Sequence, residues 1–232
     1  MARLRPRRLG LWALGGVIAL AVLVVGGTWI YIHLIEGPAP AALSLKSSSS
    51  ASAGTGTDTG VTGTWRVVRG SVVGYRVNEV LAGQQNVAVG RTSNISGSMT
   101  VSDGTVTSAS FTVQMATIHS DQSQRDAQFN GRIMDTAAYP KGTLTLTSSI
   151  ALGNLPAEGV IRTYQAAGNL TLRGRTRPIT FRLQAERTTA GIEVSGSISV
   201  LFANWGIANP SFGSFVTTQN DGQLEFLVKF AR

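Results

Sequence analysis

The chain has 232 residues, 43% of them hydrophobic and only 14% charged, which excludes a disordered protein and is long enough for one well-packed domain. It has no cysteine, so a disulfide framework, a thiolate nucleophile and a lipid-modified cysteine are excluded. The net charge of +8 falls partly on four arginines near the N-terminus, and the mildly basic remainder suits a surface facing anionic lipid or wall polymer rather than nucleic acid.

In chain order, residues 1–8 hold Arg3, Arg5, Arg7 and Arg8 without an acid and read as a cytoplasmic basic segment. From Leu9 to Ile35 no Asp, Glu, Lys or Arg occurs. About 20 apolar residues cross a bilayer as a helix, so 9–35 predicts a transmembrane signal anchor. Trp12, Trp29 and Tyr31 suit its two interfaces, and the arginines before it place the N-terminus in the cytoplasm. The expected location is therefore the cell membrane, single-pass, with the C-terminal domain outside the cytoplasm. A signal peptide has an apolar core of only about 7 to 15 residues, although "APAA" at 39–42 offers a cleavage site after Ala41. Residues 36–62, with "KSSSSASAGTGTDTG", read as a flexible linker with nothing to bury.

From Thr64 onwards apolar and polar residues alternate with period 2, the sign of antiparallel strands buried on one side. Val73, Tyr75 and Val77 share one face; so do Phe111, Val113 and Met115, and Leu144 with Leu146. Phe181, Leu183 and Ala185 follow, then Ile192, Val194, Ile198, Val200 and Phe202, and finally Leu224, Phe226, Val228 and Phe230. "SDGT" at 102–105, "RGRT" at 173–176, "TTAG" at 188–191 and "NDG" at 220–222 supply turns. The pattern predicts an all-β fold, an extended antiparallel up-and-down barrel of about eight strands, because tight hairpins favour a barrel over a sandwich. Gly97, Ala185, Gly196 and Ala203 among the large inward residues leave a filled interior and a cavity equally open.

The segment "QSQRDAQFNGRIMDTAAYP", 122–140, breaks this rhythm with helical spacing of Phe129, Ile133 and Met134. It predicts one helical insert laid over the barrel, capped by Asp121 or Ser123 and ended by Tyr139-Pro140. Arg125 and Asp126 serve either as a structural ion pair or as hydrogen-bonding partners of a ligand's polar head. "HSD" at 119–121 cannot form a hydrolase triad, since neighbours on a strand face opposite ways, and no G-x-S-x-G occurs. His119 is the one histidine outside the apolar span, too few for zinc, and no calcium-loop signature is present. Arg173, Arg175 and Arg177 suit a solvated turn or an anionic head group, while Trp205, Phe212 and Phe215 suit a plug at one end or a lipid portal.

"GTWRVV", "SVVGYRVNEV", "GRTSNISGSMTV", "ASFTVQMATIHSD", "RDAQFNGRIMDTAAYP", "GNLTLRGRTRPITFRL" and "NWGIANPSFG" occur in this order. The ordered set resembles the YceI-like family and covers 63–232. The resemblance implies a lipocalin-like barrel, crossed by a helix, whose apolar tunnel holds a polyisoprenoid such as a prenylated quinone or polyprenol. It implies a cell-envelope protein with an isoprenoid lipid as partner; the residues themselves offer no catalytic or metal constellation, so neither an enzyme nor a cofactor is expected, and a dimer is left open. The candidate tunnel wall is Tyr75, Phe111, Val113, Met115, Phe129, Ile133, Leu144, Leu146, Phe181, Leu183, Ile198 and Phe226, with Arg125 and Asp126 the candidate head-group residues where they are not simply a structural ion pair. The chain departs from the family's pattern at "VVRGSVVGY", where an acidic residue and a His-Ser pair are often found.

Overall fold

The computed structural model describes residues 39–45 and 60–232, except 82, 154, 214 and 215, with the isolated positions 16, 17, 20, 22 and 27. Period-2 alternation yields twelve strands: β1 (Gly63–Val67), β2 (Val72–Leu81), β3 (Gln84–Thr92), β4 (Ile95–Ser102), β5 (Thr105–Gln114), β6 (Lys141–Leu146), β7 (Ile150–Ala151), β8 (Arg162–Leu172), β9 (Arg175–Thr188), β10 (Gly191–Leu201), β11 (Val216–Thr218) and β12 (Asp221–Ala231). The order β1-β4-β5-β6-β8-β9-β10-β12 closes on itself where β12 pairs with β1. Every pairing is antiparallel, so the strands form a closed up-and-down barrel of eight positions.

Twelve strands fit eight positions because four positions are occupied by a strand broken in two. β1 runs on into β2, β3 into β4, β6 into β7 and β11 into β12, each pair lying along the same neighbour. The first break, 68–71, shows how such a kink is held. Ser71 is fully buried; its hydroxyl donates to the Val68 carbonyl at 2.8 Å and accepts the Lys229 N–H at 2.9 Å. A side chain thus supplies the acceptor that the bulged backbone withdraws from the ladder. "VRGS" is therefore a structural bend. The last break corrects an expectation: "NDG" at 220–222 is no hairpin but an irregularity in one strand, with Asn220 O accepting from Phe202 N–H at 2.9 Å. "SDGT" and "RGRT" do form two-residue hairpins, with Asp103, Gly104, Arg173 and Gly174 all at positive φ, the type I′ pattern that matches strand twist.

Between β5 and β6 the chain makes a short helix, α1 (Ser123–Gln128), which continues as a π-helical turn over Phe129–Ile133. Its cap differs from the expected one. Gln122 is the capping residue and caps with no side chain, while Asp121 accepts from Arg125. The helix also stops before Tyr139-Pro140: Asp135, at φ 50°, turns the chain left-handed first.

The expectation of a single-pass membrane anchor is corrected. Among the described residues no helix is long and apolar enough to cross a bilayer. That expectation rested on apolar length, flanking arginines and interfacial aromatics, none of which forms a described spanning helix, and the location derived from it loses its support as well. Of 9–35 only Gly16, Val17, Leu20, Val22 and Gly27 are described; the rest of that span, all of 1–8 and most of 36–62 lie outside the described residues. Within the stretch read as a linker, residues 39–45 lie extended against the outside of the barrel.

Candidate functional site

The barrel encloses a cavity of about 870 Å³ running along its axis, walled almost wholly by apolar side chains. The interior is open, which decides between the filled and hollow alternatives left by the pattern. Every wall position singled out in the sequence lies on it: Tyr75 on β2, Phe111 and Val113 on β5, Leu144 and Leu146 on β6, Phe181 and Leu183 on β9, Ile198 on β10 and Phe226 on β12. Met115 comes from a 3-10 turn after β5, and Phe129 and Ile133 from the π turn.

The register explains why so many aromatic rings leave the axis free. Tyr75 stands opposite Gly90, Phe111 opposite Gly97, Phe226 opposite Gly196 and Phe181 opposite Ala166. A methyl group at Gly90, Gly97 or Gly196 would lie 2.4, 2.8 or 2.6 Å from the facing ring. Each ring therefore lies along the wall, over the space its cross-strand partner leaves, instead of pointing across the lumen. Further ring contacts fix them: Tyr75 stacks on Phe129 at 5.1 Å, and Phe181 meets Phe226 edge-on at 6.0 Å. The small residues noted in the sequence thus admit aromatic rings to the wall, and the void arises from where those rings lie. Ala203 is the exception; it is exposed in a 3-10 turn and faces no cavity.

One end of the cavity is covered by α1 and its π turn. The other is covered by residues 152, 153 and 155–160, where Leu152 N–H reaches Gly104 O at 2.8 Å and Gly159 N–H reaches Arg187 O at 2.9 Å. The α1 end is polar at its rim, with Gln122, Gln124, Arg125, Gln128 and Arg132 on the lining together with Glu79. Arg125 donates to Asp121 and, at 3.3 Å, to Glu79 Oε1, which also accepts from Asn86 Nδ2 at 2.8 Å. Arg132 donates to the carbonyls of Asn209 and Pro210 at 3.0 and 3.2 Å, tying the helix to the segment before β11. Beside this segment Phe212 lines the cavity while 69% exposed. Phe215 lies outside the described residues. Of the rim groups, sequence reasoning found only Arg125. The i, i+4 spacing of Gln124, Gln128 and Arg132 was the available signal, masked by the apolar stripe beside it.

Arg125 and Asp126, adjacent in sequence, engage different partners. Asp126 accepts from the Ser120 hydroxyl at 2.7 Å and the Ser120 N–H at 2.8 Å, and lies 3.1 Å from His119 Nδ1. Partial burial acts to raise the Asp126 pKa, but the Ser120 and His119 hydrogen bonds together hold it below its ordinary value. The carboxylate thus anchors α1 to the segment before it, and the acid sits between serine and histidine, whereas a nucleophilic relay needs histidine in the middle. Burial pushes the Tyr75 phenol up to about 12, against the lowering influence of Arg125, so it stays protonated where the apolar wall meets the polar rim. The other arginine cluster is structural: Arg173 donates to Gly206 O, and Arg177 to Asn204 O at 3.0 Å, holding the 3-10 turn Phe202–Trp205. Trp205 is buried there, its indole N–H on Leu170 O at 3.2 Å. Among the described residues no group of three His, Asp or Glu side chains gathers to hold a metal.

Residues 65–230 match the YceI-like domain, and the chain belongs to that family. Several solved structures share the fold, two of them as follows. One is a crystal structure of Burkholderia cenocepacia BcnA, 18% identical, covering 70% of this chain and 96% of that one with a TM-score of 0.54. The second is a polyisoprenoid-binding domain from Saccharophagus degradans implicated in plant cell wall breakdown, 14% identical, covering 72% and 97% with a TM-score of 0.57. No curated protein matches the chain in sequence.

Proposed function

We propose that this YceI-like barrel binds a polyisoprenoid lipid of the prenylated quinone or polyprenol type along its axis, and sequesters or carries it without chemical change. The observation that carries this reading is the apolar lumen of about 870 Å³, within the range of small-molecule sites. Removing each CH2 group of such a chain from water contributes roughly 0.8 kcal/mol, so a long tail outweighs the ordering of its own bonds. No polar constellation along the tunnel is required. The fold shared with a Saccharophagus protein described as polyisoprenoid-binding supports the same class of guest.

The polar head lies at the α1 end in this reading, beside the Arg125 guanidinium, Gln124, Gln128 and the protonated Tyr75 phenol. A quinone carbonyl or a phosphate oxygen would accept from any of these donors. Asp126, committed to Ser120 and His119, positions the helix and leaves the head group to Arg125. Organic-solvent extraction of the purified protein followed by mass spectrometry tests the proposal. An isoprenoid in near-stoichiometric amount is expected; its absence, with no uptake of an added prenylated quinone, would overturn it. Arg125→Gln then tests the head-group role, through lipid retention compared with Tm. Retention unchanged beside a lowered Tm would reduce Arg125 to a structural tie.

A further inference from the structure

The outer face of the barrel carries a second constellation. Glu225 on β12 points away from the lumen, between inward-facing Leu224 and Phe226, yet it is only 3% exposed. Arg76 on β2 pairs with it directly, and Arg91 on β3 reaches its Oε2 at 3.2 Å. In the register Glu225, Gly74 and Arg91 form one row across three strands, so the middle residue has no side chain and Arg91 can lie over it. Ser195 on β10, fully buried, completes the patch.

Residues 39–45 lie on this patch in extended form. The arginines donate to main-chain carbonyls, Arg76 to Pro40 O and Arg91 to Ala41 O. The segment donates back, Leu43 N–H to Glu225 Oε2 at 3.2 Å and Leu45 N–H to Ser195 Oγ at 3.3 Å. Leu43 is half-buried and Leu45 buried, while Ala42 and Ser44 between them are exposed. The segment is thus held as a strand is, with one side down and donors two residues apart.

We infer that the outer wall of β2, β3, β10 and β12 is a docking site for an extended peptide, occupied in cis by this chain's own residues 39–45. All four bonds go to the peptide's main chain, so recognition tolerates varied side chains but imposes rules of position. Proline fits at position 40, which contributes only a carbonyl, and is forbidden at 43 and 45, which contribute N–H groups. The residue at 45 must be aliphatic and those at 42 and 44 are free. The occupant screens Glu225 and its arginines from water, and it latches the chain preceding the barrel to one place on the wall.

Hydrogen exchange on the full chain, read by mass spectrometry, tests this. The amides of Leu43 and Leu45 are expected to exchange at least tenfold more slowly than in the isolated peptide 39–45, independent of protein concentration. Leu43→Pro alters the segment and not the barrel; it should abolish protection at Leu45 while lowering Tm by only about 3–6 °C, the loss of the latch alone. A fluorescent peptide of residues 39–45 should then bind the Leu43→Pro protein and not the wild type. Unprotected amides in the wild type, or equal peptide binding by both proteins, would overturn the site. Protection that appears only on dimerisation would overturn the assignment in cis.

Discussion

The two faces of β12 are buried by different means. Leu224, Phe226 and Val228 turn inward, where Gly196 opposite Phe226 lets that ring lie along the wall of a hollow interior. Glu225, one residue away, turns outward and is buried at least as deeply as Phe226 and Val228, because residues 39–45 cover it and two arginines neutralise it. Inside, burial is unspecific and leaves space; outside, it is specific and leaves none. An apolar wall can stay hollow because it has no hydrogen bonds to satisfy, whereas a buried carboxylate tolerates no vacancy.

This contrast can be broken from the inside most strongly. Leu144→Trp extends a large ring into the lumen and should cut retained isoprenoid about tenfold, since excluding even two methylenes removes roughly 1.6 kcal/mol of burial. Mass spectrometry of the extract, with Tm unchanged within a few degrees, is the readout; undiminished lipid would mean that the guest lies elsewhere. On the outside, Glu225→Ala leaves Arg76 and Arg91 facing each other without their counter-ion. The expected loss in urea unfolding is about 3 kcal/mol, the lower end for a broken buried pair because both arginines keep some solvent. Ser71→Ala should cost about 1–2 kcal/mol, by leaving Lys229 N–H without its acceptor at the first strand break.

The smallest effect is a pH dependence at Asp126. Its pKa is held below the ordinary 3.8, so its contribution is fully present above that value and is lost as pH falls through the lowered one. The stability gap between wild type and Asp126→Asn should therefore be constant at neutral pH and close only below about pH 4. A gap that does not change as pH falls through this range would mean that the Asp126 carboxylate contributes nothing through its charge.

The inner face was legible in the sequence because alternation is a local signal: each wall residue announces itself by its neighbours two positions away. The hollow was not, since it depends on which residue faces which across strands, as Gly196 faces Phe226. The four broken strands were equally hidden. A Ser or Asn in mid-strand reads as a turn, and only pairing with a distant edge shows that 220–222 continues a strand. The docking of 39–45 escaped for a related reason: its small residues look like spacer, and its contacts are made by main-chain atoms that carry no sequence signature. The helix was found and its end misplaced, because Asp135 adopts the left-handed backbone that aspartate tolerates well, a stop signal passed over in favour of Tyr139-Pro140.

The ring is sealed where Val67 meets Phe230, the two strands most distant along the polypeptide. Until the C-terminal strand has emerged and swung round to its place, the nascent sheet is an open trough with its greasy side facing water. Closure must therefore be a late and slow event, as loop entropy requires of the longest-range contact. During that interval the trough is accessible along its whole length, and the finished vessel can be entered only from its ends.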